Sequence, residues 1–280
     1  MKNKIFLLTT ILGFSFYNAH SQTCCSKPGA TESFAMLGKE SNFQASHLSP
    51  KPFVFNSENM QEITLKPSDG LASKAFEFKS KTPSKKYLFV IHEWWGLNDH
   101  IKKEAEKYYS NLPGVNVIAL DLYDGKIATD AETAGKYMGA ADEKRIRNIL
   151  AAAMDYVGKD AQIATVGWCF GGGWSLQMAL AGSNQTKACV IYYGMPENDI
   201  EKLKTLNSDV LGIFASKDQW INPGVYNAFK ANMVKAGKKV EIKEYEADHA
   251  FANPSNPKFD EKNAKDAFER SVKYIIERLR

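Results

Sequence analysis

From residue 87 onward, short uninterrupted apolar runs alternate with longer segments of helical periodicity. That alternation restricts the fold more than any other feature of the chain. Residues 87–91, Tyr-Leu-Phe-Val-Ile, form the first such run. A strand buried on both faces reads this way, whereas a strand with one solvated face alternates apolar with polar. Further runs stand at 115–120, 163–166, 188–192 and 210–215, and 240–245 reads as a last strand. Helical patterns at 101–112, 142–157, 171–180, 197–206, 223–235 and 260–280 separate and follow them. Strands and helices taking turns in this way predict an α/β fold: a mostly parallel central sheet with helices on both faces. Upstream, 62–65 and 75–78 alternate like the strands of a hairpin.

The segment before this domain has two parts. Lys2 and Lys4 precede an apolar stretch from Ile5 to about Tyr17, and Ala19-His20-Ser21 supplies a small-x-small pattern. Residues 1–21 therefore read as an export signal cut after Ser21, too short in its apolar part to span a bilayer. The alternatives are a buried N-terminal helix and a lipid on Cys24. Residues 22–57, rich in Ser, Lys, Pro and Gly with scattered Phe34, Phe43, Phe53 and Phe55, read as an extension lying against the domain of residues 58–280. No later segment is long and apolar enough to span a membrane. Without residues 1–21 the chain carries 34 basic against 32 acidic side chains, too balanced and interspersed to favour nucleic acid. An exported, periplasmic or extracellular monomer is expected.

Four cysteines do not make a disulfide framework in a chain of 280 residues. Cys189 lies within an apolar run and reads as a small packed hydrophobe. The adjacent Cys24-Cys25 pair fits a soft metal ion with His47 as a further ligand, a bond to another chain, or a nonessential leader. Cys169 is different. It stands in Gly167-Trp168-Cys169-Phe170-Gly171, directly behind a predicted strand and ahead of a predicted helix. Gly-x-nucleophile-x-Gly in that setting is the sharp turn that presents a hydrolase nucleophile. The positive end of the following helix favours thiolate there.

Sheets of this kind gather their functional groups at the carboxyl ends of the strands. Cys169, Asp218 and His249 each follow a predicted strand, in the chain order nucleophile, acid, histidine expected of such a hydrolase. Imidazole can take the thiol proton and later activate water, while a carboxylate fixes its tautomer. The backbone N–H of Phe170 is the expected first oxyanion donor. Glu93 and Trp94 follow the strand at 87–91, in the loop where the second donor belongs.

These residues resemble the dienelactone hydrolase family of the α/β-hydrolase fold. The resemblance runs from about Glu62 to the C-terminus, about four-fifths of the chain. It is carried by HEWWGLN (92–98), DLYDGK (121–126), GWCFGGG (167–173), KDQWINP (217–223) and DHAFANP (248–254). It implies Cys169 as nucleophile, His249 as base, Asp218 as orienting acid, and Glu93 as a glutamate that pairs with the resting thiol. It also implies the Trp94 N–H as second oxyanion donor and no metal or organic cofactor. A thiol held neutral in this way is a poor target for oxidants.

Two departures bear on substrate. The family's arginine four residues beyond the histidine is Asn253 here, and residues 129–138 contain no arginine where another is expected. A carboxylated dienelactone is therefore a poor fit. Trp94, Trp95, Tyr123, Trp220, Phe251 and Asn253 are expected to line a flat, largely apolar pocket. The expected activity is hydrolysis of lactones or small activated esters through an acyl-thioester on Cys169. The rivals are a thioesterase or carboxylesterase on the same machinery, and a catalytically silent binding protein with a metal-binding leader.

Overall fold

The structure, a computed structural model, describes residues 28–280. The expected signal segment and the Cys24-Cys25 pair lie outside the described residues. The strands are β1 (Met60–Leu65), β2 (Ser73–Phe78), β3 (Lys86–Ile91), β4 (Asn116–Leu120), β5 (Gln162–Trp168), β6 (Thr186–Tyr192), β7 (Asp209–Ala215) and β8 (Val240–Tyr245). The helices are α1 (Ala30–Leu37), α2 (Ser41–Ser46), α3 (Asp99–Asn111), α4 (Ala131–Gly139), α5 (Glu143–Val157), α6 (Phe170–Ala181), α7 (Ile200–Lys204), α8 (Pro223–Lys235) and α9 (Glu261–Arg278).

One sheet holds all eight strands in the order β1-β2-β4-β3-β5-β6-β7-β8. β1 and β2 form the expected antiparallel hairpin, and β2 pairs antiparallel with β4. Every other pairing is parallel. Leu88, Phe89, Val90 and Ile91 of β3 have no exposure at all, as a strand covered on both faces requires. Each such side chain contributes about 1.5–3 kcal/mol by leaving water. Tyr108 of α3 packs on Phe268 of α9 with ring centres 4.8 Å apart, and Tyr192 Oη donates to Ser271 Oγ of α9 at 3.2 Å. Residues of opposite parity meet α6, where Ser175 Oγ donates to Thr165 Oγ1 at 2.9 Å. Helices therefore cover both faces, and the fold is that of an α/β-hydrolase.

Strand order determines where a ligand can sit. The chain leaves β3 towards β4 on one side and leaves β5 towards β6 on the other. β3 and β5 are neighbours, so the crevice at their carboxyl ends is the topological switch point. Ile91 pairs with Gly167 in that ladder. Glu93 and Cys169 each follow their partner by two residues, and register alone brings them to one place. Ala215 likewise pairs with Tyr245, ahead of Asp218 and His249.

Two elements differ from the sequence reading. Residues 121–141, to which the sequence reading assigned no element, contain α4, capped by Asp130, whose Oδ1 accepts from Thr133 N at 2.8 Å. The extension lies against the domain and, among the described residues, contains two helices that the sequence reading did not assign: α1 and α2 bury Phe34 and Phe43, the latter completely. Among the described residues no helix is long and apolar enough to cross a membrane.

Candidate active site

Cys169 sits between the end of β5 and the start of α6 with φ 55° and ψ −117°. This is a left-handed conformation that a side chain adopts only when its surroundings enforce it. The enforcement is visible. Cys169 N–H donates to Tyr192 O at 2.9 Å, and Gly172 N–H to Cys169 O at 3.0 Å. A Cβ on Gly167 would lie 2.1 Å from Gly171 O, and one on Gly171 would lie 2.3 Å from His92 O. Both glycines are needed because backbone, which cannot swing aside, fills the space.

Asp218 and His249 meet as the sequence predicts. His249 Nδ1–H donates to Asp218 Oδ2 at 2.5 Å. Asp218 Oδ1 accepts from the N–H groups of Trp220 (2.8 Å) and Ile221 (2.9 Å), so the carboxylate cannot rotate away. Lys217 N–H donating to Ala247 O at 3.0 Å ties the two loops together. A ring nitrogen of His249 and the Cys169 sulfur lie within 4.8 Å. His249 Nε2 is buried and faces the Cys169 sulfur.

Burial alone would raise Asp218, but His249 and the two N–H groups outweigh it and hold the carboxyl below its ordinary range. Burial alone would lower His249; the facing Asp218 carboxylate prevails and the imidazole rises well above its ordinary value. Burial lifts the Cys169 thiol, His249 pulls it down, the Glu93 carboxylate pushes it up, and the balance is upward.

Glu93 is buried beside this group, and burial pushes its carboxyl up to about 7 against the opposing effects of His249, Tyr193 and Asn253. Its contacts correct two expectations. Tyr193 Oη donates to Glu93 Oε1 at 3.3 Å and Asn253 Nδ2 donates to Oε2, while no hydrogen bond joins Glu93 to the thiol. The thiol and Glu93 interact by charge rather than as a bonded pair. Asn253 is not a free pocket residue either. Its Oδ1 accepts from Ser255 N (2.8 Å) and Ser255 Oγ (2.7 Å), so its amide is fixed towards Glu93.

The Phe170 N–H, the first of α6, turns towards the Cys169 sulfur, and the Trp94 N–H has no backbone acceptor among the described residues. His92 holds the loop that carries Trp94: its Nδ1–H donates to Glu93 O at 2.6 Å and its Nε2 accepts from Leu122 N at 3.1 Å. Trp94, Trp95, Tyr123 and Phe251 are buried and Trp220 is half-buried. The Tyr123 ring lies 5.3 Å from Phe170 and the Phe251 ring 5.6 Å from Tyr193. These aromatics surround the site as expected, but no open cleft reaches the thiol. Cys169 is only 1% exposed.

What covers it is α2. The Phe43 ring lies 5.2 Å from Trp94, 4.9 Å from Trp220 and 6.1 Å from His249. The His47 ring lies 5.1 Å from His249. Sequence reasoning gave neither residue a place in this site, nor Tyr193. Tyr193 follows β6 at a strand end with φ 35°, and that position was the one signal available for it.

The family model for the dienelactone hydrolase family matches residues 74–279. The "Putative carboxymethylenebutenolidase" of Saccharolobus solfataricus is 28% identical over 254 residues, covering 76% of this chain and 96% of the relative. The carboxymethylenebutenolidase of Pseudomonas sp. strain P51 is 27% identical over 142 residues, 49% of this chain and 56% of its own. Among solved structures, a dienelactone hydrolase-like promiscuous phosphotriesterase, P91, from metagenomic libraries superposes with a TM-score of 0.68. It is 19% identical and covers 79% of this chain and 99% of its own, a likeness of fold alone. With nearly the whole sheet and every strand-end residue inside the matched span, the chain belongs to the dienelactone hydrolase family.

Proposed function

We propose that the protein is a cysteine-dependent hydrolase of uncharged lactones or small activated esters. The observation that carries this reading is the convergence of a strained Cys169 turn with the Asp218–His249 pair, at 2.5 Å, on one buried strand-end crevice. Membership of the family, and relatives named as carboxymethylenebutenolidases, support ester and lactone bonds as the target.

In the proposed reaction, Glu93 takes the thiol proton as substrate enters, and the Cys169 thiolate, facing a protonated His249, attacks the substrate carbonyl. The N–H groups of Phe170 and Trp94 hold the tetrahedral oxyanion. Collapse breaks the carbon–oxygen ester bond, His249 gives its proton to the leaving oxygen, and an acyl-thioester remains on Cys169. His249, now neutral, removes a proton from water, which attacks the thioester, and Glu93 returns its proton to the departing sulfur to restore the thiol. Glu93 acts on the resting state. Ionised, it disfavours the thiolate and keeps Cys169 protonated; with a pKa of about 7 it is also suited to accept the thiol proton once substrate enters.

Asn253 donates to Glu93 and Ser255 fixes it there, so this amide is not free to take a substrate carboxylate. That favours a neutral substrate. Access requires α2 to move, because Phe43 and His47 close the crevice. Export directed by residues 1–21 is part of the same proposal, and the mass of the protein recovered outside the cytoplasm checks it. The function is tested with a panel of neutral lactones, carboxylated lactones, nitrophenyl esters and acyl thioesters. The expected order of kcat/KM puts neutral lactones and activated esters first. Preference for acyl thioesters would replace this substrate class, and no turnover of any of them would overturn it.

A further inference from the structure

The extension contributes more than a cover. One ring nitrogen each of His47 and His249 and the sulfur of Cys169 all lie within 4.8 Å of one another. In both rings the other nitrogen is already held by an oxygen. His47 Nδ1–H donates to Phe43 O at 2.6 Å, and His249 Nδ1–H donates to Asp218 Oδ2. Both Nε2 atoms are buried; His47 Nε2 has no hydrogen-bond partner, and His249 Nε2 faces only the Cys169 sulfur. An imidazole whose Nδ1–H is fixed by a carbonyl or carboxylate, with Nε2 left bare, is the arrangement that metal-ligating histidines adopt. Two such rings and a thiol make a Cys-His-His donor set, to which zinc binds with a fourth position left for water.

We propose that His47, Cys169 and His249 form a binding site for a thiophilic divalent cation of the zinc class, and that occupancy stops hydrolysis by turning the nucleophile into a ligand. Zinc–sulfur and zinc–nitrogen bonds of about 2.3 and 2.0–2.1 Å require ligand atoms about 3.3–3.6 Å apart in a tetrahedral site. The three atoms, within 4.8 Å of one another, must therefore draw together by up to about 1.5 Å. Binding transfers the thiol proton, and any proton on His249 Nε2, to solvent. The thiolate and the Asp218 carboxylate then balance the two positive charges. Burial and the neighbouring His249 lower His47 to about 3, so its ring is neutral and ready to coordinate. The site joins the extension to the catalytic domain, and the metal holds α2 closed.

The test uses the full chain with Cys24→Ser and Cys25→Ser, so that the leader cannot hold the ion, and Co²⁺ as the probe. One equivalent of Co²⁺ is expected to bind with a thiolate-to-cobalt charge-transfer absorption, and Zn²⁺ is expected to displace it. Cys169→Ser should abolish that absorption. His47→Gln, with its fold checked by circular dichroism, should weaken binding at least tenfold, since even indirect partners of a metal ligand are worth about 10–100-fold. A charge-transfer band that survives Cys169→Ser, or an unchanged affinity in His47→Gln, overturns the site. Should His47→Gln fail to fold, the parent chain decides: Zn²⁺ must slow alkylation of Cys169 by iodoacetamide, read by peptide mass, and an unchanged rate overturns the proposal. None of these readouts needs turnover, so a failed hydrolase assignment is distinguishable from a failed metal site.

Discussion

Glu93→Gln should change the pH dependence of stability by a calculable amount. The Glu93 carboxyl has an ordinary value of 4.5 and is pushed up to about 7 by burial. A carboxyl whose pKa is raised by folding holds its proton more tightly in the native state. Ionisation therefore favours the unfolded chain as pH climbs from 4.5, and the penalty stops growing above about 7. Integrating the two titrations between pH 5 and pH 8 gives about 2.5 kcal/mol of native stability lost at this one site. Glutamine is nearly the same shape and has no charge to bury, so the variant lacks this loss. Its amide also meets the Asn253 amide unfavourably, but that cost is the same at both pH values and cancels in the comparison. Urea unfolding of both proteins at pH 5 and pH 8, followed by tryptophan fluorescence, measures the difference. The stability of Glu93→Gln relative to the parent should rise by about 2.5 kcal/mol between the two conditions. A gap that stays constant refutes the buried, proton-holding Glu93 and removes it from the proposed chemistry.

Asp218→Asn should leave substrate binding largely intact and lower kcat by about 10⁴, because His249 loses the partner that sets its tautomer; a loss under tenfold speaks against the triad. Gly171→Ala should cost more than about 2 kcal/mol in urea unfolding, since the new methyl meets the Ile91 and His92 carbonyls at 2.4 and 2.3 Å. Phe43→Ala should lose about 3–5 kcal/mol and make Cys169 react faster with iodoacetamide. An unchanged alkylation rate would mean that α2 is not what shields the thiol.

The parts of the fold that the sequence made legible are those where one physical constraint acts alone. Residues 87–91 and 210–215 sit between two helix layers, so every position must be apolar and the run is unbroken. The Cys169 turn was readable because Gly167 and Gly171 answer a backbone collision that no other residue avoids. Asp218 and His249 were readable because register carries strand ends to one edge of the sheet. Legibility failed where the signal lies in packing between distant segments. α4 contains Gly135 and ends in Gly139, which depresses helix propensity, and its apolar face meets α1 rather than the sheet. α2 is six residues long, too short for periodicity to show, and sits in a stretch whose Ser, Lys and Pro content reads as loop. The pairing of Glu93 with Asn253 spans 160 positions, so neither residue's neighbourhood could announce it. His47 was hidden likewise, 122 positions from Cys169 and 202 from His249.

The central claim is that the sulfur of Cys169 becomes acylated during turnover. Rapid acid quenching of the protein with an activated ester, followed by peptide mass analysis, tests it directly. An acyl mass on the peptide that carries Cys169, formed and lost at rates compatible with kcat, is the predicted result. Steady hydrolysis with no acyl mass on that peptide, or hydrolysis undiminished in Cys169→Ala, would contradict it.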